Sequence, residues 1–565
     1  MEHLFNSVPP FVVFYITAVF AFVLEGRTRT VFMLAGIVLS ALNLLGLSAG
    51  DNWQLQFMSF ELTPVRVDQL SLLFGYLFHI AALIGVIYAI HVKDAVQQSM
   101  SLLYAGSALG AVFAGDLLTL FLFWEVLAVS SAFLIWARQT DTAFHAGMRY
   151  LIIQVLSGVI LLAGAIFYFV QQGNLSFDYI GLNSVAGWLI FIAFGIKCAF
   201  PFVHNWLTDA YPESTPIGTV FLSAFTTKVA VYSLARGFPG TELLVYIGAV
   251  MACFPIFYAV IENDLRRVLA YSLVNQLGFM VVGIGIGTAL SLNGAVAHAF
   301  TDVIFKGLLF MSMGAVLHMT GRINGSELGG LYKSMPKTTL LCIIGAASIS
   351  AFPLFSGFIS KSMIMTAALQ EKYNGVWLIL LFASAGVFHH AGIKIPYFAF
   401  FAHDSGIRTT EPPKNMLFAM FIAATLCVGL GMFPQTLYQL LPYQASYTAY
   451  DVTHVLTQLQ LLCFSALAFV WLNQKGLYPP ELPSVNLEFD WLYRRALPVG
   501  ALVVLQRLKA VQQLVYQGGY KLYCQLGALE HNRQVSKVMV FSQSTAGMVT
   551  WLALLLTVFL LVGVV

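Results

Sequence analysis

Sixteen stretches of this chain run close to twenty apolar residues each, and a stretch of about that length crosses the hydrocarbon core of a bilayer as a single helix. They fall near 9–25, 30–48, 68–91, 99–114, 116–137, 147–170, 184–206, 216–236, 242–261, 266–286, 290–317, 337–362, 375–401, 414–434, 452–473 and 546–565. Little remains from which a water-facing surface could be built. Of the 565 residues 59% are hydrophobic and 9% charged, against about a quarter charged in a soluble domain. The expected fold is an all-α polytopic membrane protein of about 14–16 transmembrane helices.

Basic residues orient these spans. With the N-terminus outside, the inward loops hold Arg27, Arg29, Lys93, Arg138, Arg149, Arg266, Arg267, Arg322, Lys333, Lys337, Arg408 and Lys414, and the outward loops up to residue 452 hold Arg66, Arg236 and Lys372. Twelve against three is the positive-inside pattern, as for a bacterial inner membrane. The N-terminus MEHLFNSVPP has no basic leader or small-residue cleavage site, so the first stretch is expected to remain as a span. The segment 474–545 differs from the rest. Its first part is polar and proline-broken, and from Val499 to about Leu529 it is amphipathic at helical period, interrupted at Gly518-Gly519. That pattern predicts an interfacial or partner-packing helix on the inner side.

A charge at the centre of a span costs about 3 kcal/mol on insertion scales and usually faces a cavity or a partner. This chain embeds Glu125, Lys197, Lys228, Asp302, Lys306, Lys361 and Lys394, the last nearer an interface. One lysine could snorkel from a helix end; five flanked by apolar residues point to a path for protons or other cations. Desolvation disfavours a lysine's charged form and a nearby carboxylate favours it, so a Glu–Lys pair that separates and rejoins is a proton switch. Glu125 is the carboxylate deep in the first half, the natural partner for Lys197 or Lys228, with a fixed structural ion pair as the bland alternative. His298, Asp302 and Lys306 recur at i, i+4 and i+8, sharing one helix face fit for a water-bridged relay. His79, His389 and His390 read as packing or helix–helix hydrogen-bonding residues.

Other chemistries find no support. The cysteines Cys198, Cys253, Cys342, Cys427, Cys463 and Cys524 form no CxxC or Cys/His cluster, so no iron–sulfur, haem or zinc cofactor is expected. Lysine is no usual metal ligand, and no phosphate loop or nucleophile–base set is present beyond the weak glycine pattern GIGIGTA. A net charge of +3 without a basic-aromatic stretch predicts no nucleic-acid partner. The expectation is a transporter subunit, not an enzyme with bond chemistry of its own.

Pro201 follows Lys197 by one turn, and Pro353 precedes Lys361 by two. Proline inside a span removes a backbone hydrogen bond, and irregular backbone at membrane depth is tolerated only where protein or water covers it. Interrupted spans at corresponding places in two halves point to a transport site. Lys197 to Lys228 is 31 residues and Lys361 to Lys394 is 33, a repeat in pattern without an evident letter-by-letter match.

With these residues the chain resembles the antiporter-like proton-channel subunits of respiratory complex I, membrane-bound hydrogenases and Mrp-type sodium/proton antiporters, over most of 65–435. The specific stretches are GIKCAFPFVHNWLTDAYPESTPIGTVFLSAFTTKVAVYSLAR, DLRRVLAYSLVNQLGFM, HAFTDVIFKGLLFMSMGAVLH and FPLFSGFISKSMI. The resemblance implies two inverted five-helix repeats containing broken helices. It also implies an essential glutamate at Glu125, a broken-helix lysine at Lys197, and further path lysines at Lys228, Lys306 and Lys361. Organisation would then be N-terminal helices 1–98, repeats 99–236 and 242–401, spans 414–473, the segment 474–545 and a last helix 546–565. TTKVAVY and LEFDWLYRRAL look like D-type antiporter subunits, and Leu222 stands where the large complex I subunit tends to have histidine. Asp302, where many relatives have a histidine or neutral residue, and the long tail depart from the pattern. The implied partners are sibling membrane subunits, protons, sodium ions and the lipid bilayer. Alternatives are a pump subunit of a redox-driven complex, a subunit coupling an ion gradient to inorganic-carbon uptake, and a scaffold of fixed ion pairs.

Overall fold

The computed structural model describes residues 8–57, 60–483 and 486–531; the expected span 546–565 lies outside them. Two compact units divide the chain, Met1–Glu488 and Phe489–Val565.

In the first unit α1 (Pro10–Val23) and α2 (Gly26–Leu45) precede a hairpin of β1 (Gly50–Phe57) and β2 (Phe60–Val67), then α3 (Gln69–Ala89). Next come α4 (Ala95–Phe113), α5 (Leu117–Trp136), α6 (Asp141–Gln172), the halves α7 (Val185–Lys197) and α8 (Asn205–Glu213), and α9 (Pro216–Ala224) jointed at Phe225 to α10 (Thr226–Gly237). A second set follows: α11 (Glu242–Ile261), α12 (Leu265–Ile286), α13 (Ala289–Thr320), the halves α14 (Pro336–Ile349) and α15 (Ser356–Gln370), and α16 (Asn374–Val387). The last continues with π-helical turns at Phe388–Lys394 and Tyr397–Phe401. Then α17 (Lys414–Met432) and α18 (Val452–Gln474) complete the helices of this unit that bear on the site. Among the described residues 11 helices are long and apolar enough to cross a membrane, and every expected span up to 473 falls on a helix or a pair of half-helices.

The two sets repeat each other in detail. Asp116 caps α5 through the Thr119 N–H at 2.7 Å, and Asp264 caps α12 through the Arg266 N–H at 2.8 Å. Both third helices, α6 and α13, are 32 residues long and end on a left-handed glycine, Gly173 (φ 73°) and Gly321 (φ 69°). Asp116 bridges to Ser176 and Asp264 to Asn324, so cap and bridge recur at the same offset of 148 residues. At the breaks, Ala199-Phe200-Pro201-Phe202 and Ala351-Phe352-Pro353-Leu354 share three letters and one backbone path. Their first and last residues take φ of 60° and 72° in one and 57° and 75° in the other. A local letter match therefore exists that the sequence reading does not register, being too short to stand out from the chain. Left-handed non-glycine residues cost on the order of 1 kcal/mol or more each, and the surrounding packing holds four of them in two matched turns.

Among the described residues the hairpin adds two strands to a helical fold, in a stretch where the sequence predicts only a loop carrying Arg66. Leu62, Val65 and Val67 are buried, and an irregularity in the register between Leu62 and Val65 lets residues three apart both turn inward. The Thr63 N–H donates to Asp116 Oδ2 at 2.7 Å and its carbonyl accepts from Gly115 at 2.8 Å, so the hairpin docks on the cap that starts α5. A Cβ at Gly115 would fall 2.7 Å from Thr63 Cγ2, and that close approach requires glycine.

In the second unit α19 (Leu497–His531) runs 35 residues without interruption, about 50 Å at 1.5 Å per residue. The break expected at Gly518-Gly519 does not occur. Glycine keeps its N–H, so it lowers helix propensity by about 1 kcal/mol relative to alanine without removing a rung of the ladder. Side chains 497–521 are exposed.

Candidate functional site

The embedded charges lie inside the first unit. Lys197, Lys228, His298, Asp302, Lys306 and Lys394 are fully buried and Lys361 nearly so; Glu125 is half-buried.

In the first set α7 ends at Lys197, where the turn Ala199–Phe202 breaks the helix. The Lys197 ammonium donates to the Trp124 carbonyl at 2.7 Å and lies 4.3 Å from the centre of the Trp124 ring. Glu125, the next residue of α5, keeps Oε1 buried without a hydrogen-bond partner. Gly158 of α6 makes room for it: a Cβ there would fall 1.5 Å from that oxygen. Glutamate and lysine are thus brought together around Trp124 without closing an ion pair. The buried amide of Gln154, one turn from Gly158 on α6, makes no hydrogen bond within the protein.

The closed pair lies between the two sets. Lys228 Nζ is 2.7 Å from Asp302 Oδ2, both side chains wholly buried, while the same ammonium donates to the Ser223 carbonyl at 3.1 Å. The joint at Phe225 prepares this site, because the Thr226 N–H there donates to the Tyr104 hydroxyl at 3.0 Å. Glu125 is therefore not the carboxylate of Lys228. The expected string on α13 is also dispersed, since neighbouring helices claim its members separately. His298 meets Ser360 at 2.9 Å and Gln276 at 3.1 Å, Asp302 faces Lys228, and Lys306 donates to the Leu269 carbonyl at 3.3 Å. A shared face brings residues toward one another, but packing from α10, α12 and α15 decides their partners.

In the second set Lys361 reaches back across the break to the Ile349 carbonyl at 2.8 Å, with its Nζ 5.1 Å from the centre of the Phe279 ring. Lys394, on the π-helical turn after α16, donates to the carbonyls of Val260 (2.7 Å) and Glu262 (2.6 Å) at the end of α11 and pairs with Glu481 at 2.9 Å. Glu481 escaped the sequence reading, as did Glu488, which accepts from or pairs with His204 Nε2 at 2.7 Å. Both lie in a polar, proline-containing tail where a carboxylate ordinarily faces water. Burial raises the Glu481 carboxyl above its ordinary value, and the Lys394 ammonium opposes that rise. His79 bonds Ser40 at 2.8 Å, and His389 packs on Phe469 and Tyr478.

Buried ammonium groups on carbonyls and aromatic faces, one cross-linking ion pair and two broken helices define a polytopic membrane protein with a chain of titratable groups through its interior. Residues 114–388 match the transmembrane family described as NADH:quinone oxidoreductase/Mrp antiporter. It is 30% identical over 426 residues to the A-type Na(+)/H(+) antiporter subunit of Alkalihalophilus pseudofirmus, covering 66% of this chain and 53% of that protein. To hydrogenase-4 component B of Escherichia coli it is 28% identical, over 54% of this chain and 52% of that one. The chain spans about half the length of these curated relatives. Its fold is that of a chain in the membrane-bound sulfane sulfur reductase, an archaeal respiratory membrane complex (TM-score 0.71, 21% identity, covering 98% of this chain and 99% of that chain). The same fold occurs in the Mrp complex of Dietzia sp. (TM-score 0.66, 20% identity, covering 83% of this chain and 98% of that chain).

Proposed function

We propose that this chain is a proton-translocating subunit of a multisubunit monovalent cation/proton antiporter, of the D type, set among sibling membrane subunits of the inner membrane with its N-terminus outside. The observation that carries the reading is the Lys228–Asp302 pair, which joins the two five-helix sets at a point wholly buried from water. The sets 99–236 and 242–401 act as two proton half-channels, and an odd number of crossings in each inverts the second relative to the first. Protons pass among Glu125, Lys197 and Lys228 in the first, then Asp302, Lys306, His298 and Lys361 to Lys394 in the second. The named activity of the antiporter relatives supports sodium as the exchanged ion. A second reading, a pump subunit of a redox-driven complex, is favoured by the fold match along 98% of the chain to a respiratory membrane complex.

Antiport in membrane vesicles with the whole native operon expressed tests this. Wild type is compared with Glu125→Gln and with Lys228→Met/Asp302→Asn, which neutralises the buried pair without stranding either charge. Sodium-dependent proton movement is lost in both variants while the complex still assembles. Unchanged antiport in both overturns the path; no antiport in wild type leaves the redox reading.

A further inference from the structure

After α18 the chain returns along the first unit as a strap, of which 477–483 and 486–488 are described. Its polar side chains meet residues of both helix sets. Glu488 meets His204, at the start of α8, and stands 3.5 Å from Thr208 Oγ1. Asn486 donates to Glu262 Oε2 at 3.2 Å. Glu481 pairs with Lys394, whose ammonium also rests on the closing carbonyls of α11. The partnered side chains are 0% exposed for Lys394 and 5% for Glu481, 4% for His204 and 10% for Glu488.

Placement separates Lys394 from the other buried lysines. It lies where α11 ends, beside the loop that leads through Asp264 to Arg266 and Arg267, and so at the basic edge of the spanning region. The carbonyl end of a helix favours a cation there. A carboxylate nearly 90 residues further along the chain is brought in to complete the site, although burying an ion pair is at best a weak source of stability. A plain tether has no need of that; a final donor–acceptor pair at the mouth of a path has.

We propose that Glu481 is the proton-exchanging partner of Lys394 at the inner mouth of the second half-channel, with Glu488 and His204 its counterpart at the first, so that the strap belongs to the translocation path. This rests on the antiporter reading above. In the step itself the Lys394 ammonium gives a proton to the Glu481 carboxylate, leaving a neutral amine beside a neutral acid. The acid then releases the proton to water on the inner side, and the carboxylate is ready for the next. The other titratable groups facing this pair are Glu262, His389, His390 and Tyr478.

The test uses the whole assembled complex in two measurements. In vesicles, Glu481→Gln lowers antiport about 100-fold, a general-acid magnitude, while Glu481→Asp restores most of it with a displaced pH profile. In the purified complex, infrared difference spectra across a pH titration show a protonated-carboxyl band that vanishes in Glu481→Gln and survives in Glu488→Gln. Wild-type antiport in Glu481→Gln, with Glu125→Gln inactive, overturns the proposal and leaves the strap a latch. If Glu125→Gln is active as well, the antiporter path itself fails. Should the wild-type spectra hold no band that Glu481→Gln removes, the proposal fails whatever the transport assays show.

Discussion

The two broken helices follow the same backbone path and treat charge differently. In the first, the carbonyl of Ile196 at the break is capped by the Trp206 indole N–H at 2.9 Å, which leaves Lys197 to turn toward Trp124 and Glu125. In the second, the equivalent carbonyl region is capped by a lysine, Lys361 on Ile349 at 2.8 Å. One turn geometry therefore frees a lysine in one half and engages one in the other. The difference shows that the backbone repeat fixes where carbonyls are exposed, and the side chain that answers them decides whether the break is neutral or charged.

The Lys228–Asp302 pair offers the largest test, since it binds the two halves together. Lys228→Met alone strands a carboxylate in a dry site, and breaking a buried pair from one side costs about 3–5 kcal/mol. Thermal unfolding of the purified complex should show that loss, and Lys228→Met/Asp302→Asn should recover most of it without recovering antiport. If the double variant is no more stable than the single one, the halves are held together by something other than this pair.

Next in size is the contrast between the two caps. Lys361→Met uncaps the buried Ile349 carbonyl, worth about 1–3 kcal/mol, whereas Trp206→Phe removes one donor from an Ile196 carbonyl that keeps the Ala199 N–H at 3.1 Å. Lys361→Met should lower thermal stability the more, and it alone should stop antiport. Equal loss of transport in the two would erase the distinction between a neutral and a charged break. Smaller again, Gly158→Ala forces a methyl into the place of Glu125 Oε1. Overpacking of this kind costs about 1–3 kcal/mol, reduced here because a half-buried side chain can swing away. Antiport should fall without being abolished, and Glu125→Gln in the same background should lower it no further than Glu125→Gln alone.

How far the sequence reaches depends on the distance over which a feature is encoded. Spans are written in local runs of apolar residues, and the breaks at Pro201 and Pro353 in single letters, so both are legible. Asp302 misleads because its nearest ionisable neighbours, His298 and Lys306, lie on its own helix, whereas its partner Lys228 comes from another helix set. Glu481 and Glu488 are invisible for the opposite reason: nothing local says that a proline-rich tail folds back and buries its carboxylates. The hairpin at 50–67 is hard to read because the three-residue step from Leu62 to Val65 interrupts its alternation, and a short two-stranded element carries little weight beside long apolar runs.

The smallest effect belongs to a pair built like Lys228–Asp302 but placed at the edge. Asp68 caps α3 through the Ser71 N–H at 2.8 Å and pairs with Arg236 Nη2 at 2.6 Å, its side chain 39% exposed. Burial works against its carboxylate, but the Arg236 charge and the Ser71 N–H outweigh that and hold the carboxyl below its ordinary 3.8. A carboxyl depressed in the folded state adds stability that is present above pH 3.8 and is lost as the pH falls through the lowered folded value. Solvent screens so open a pair, so the contribution is about 0.5–1 kcal/mol and shrinks with added salt. Asp68→Asn should therefore cost little at neutral pH, flatten the acid limb of the stability curve and leave antiport intact. The buried pair should show none of this salt dependence, because its charges lie where mobile ions do not reach. If Asp68→Asn instead matched Lys228→Met in size, burial would not be what sets the strength of these pairs.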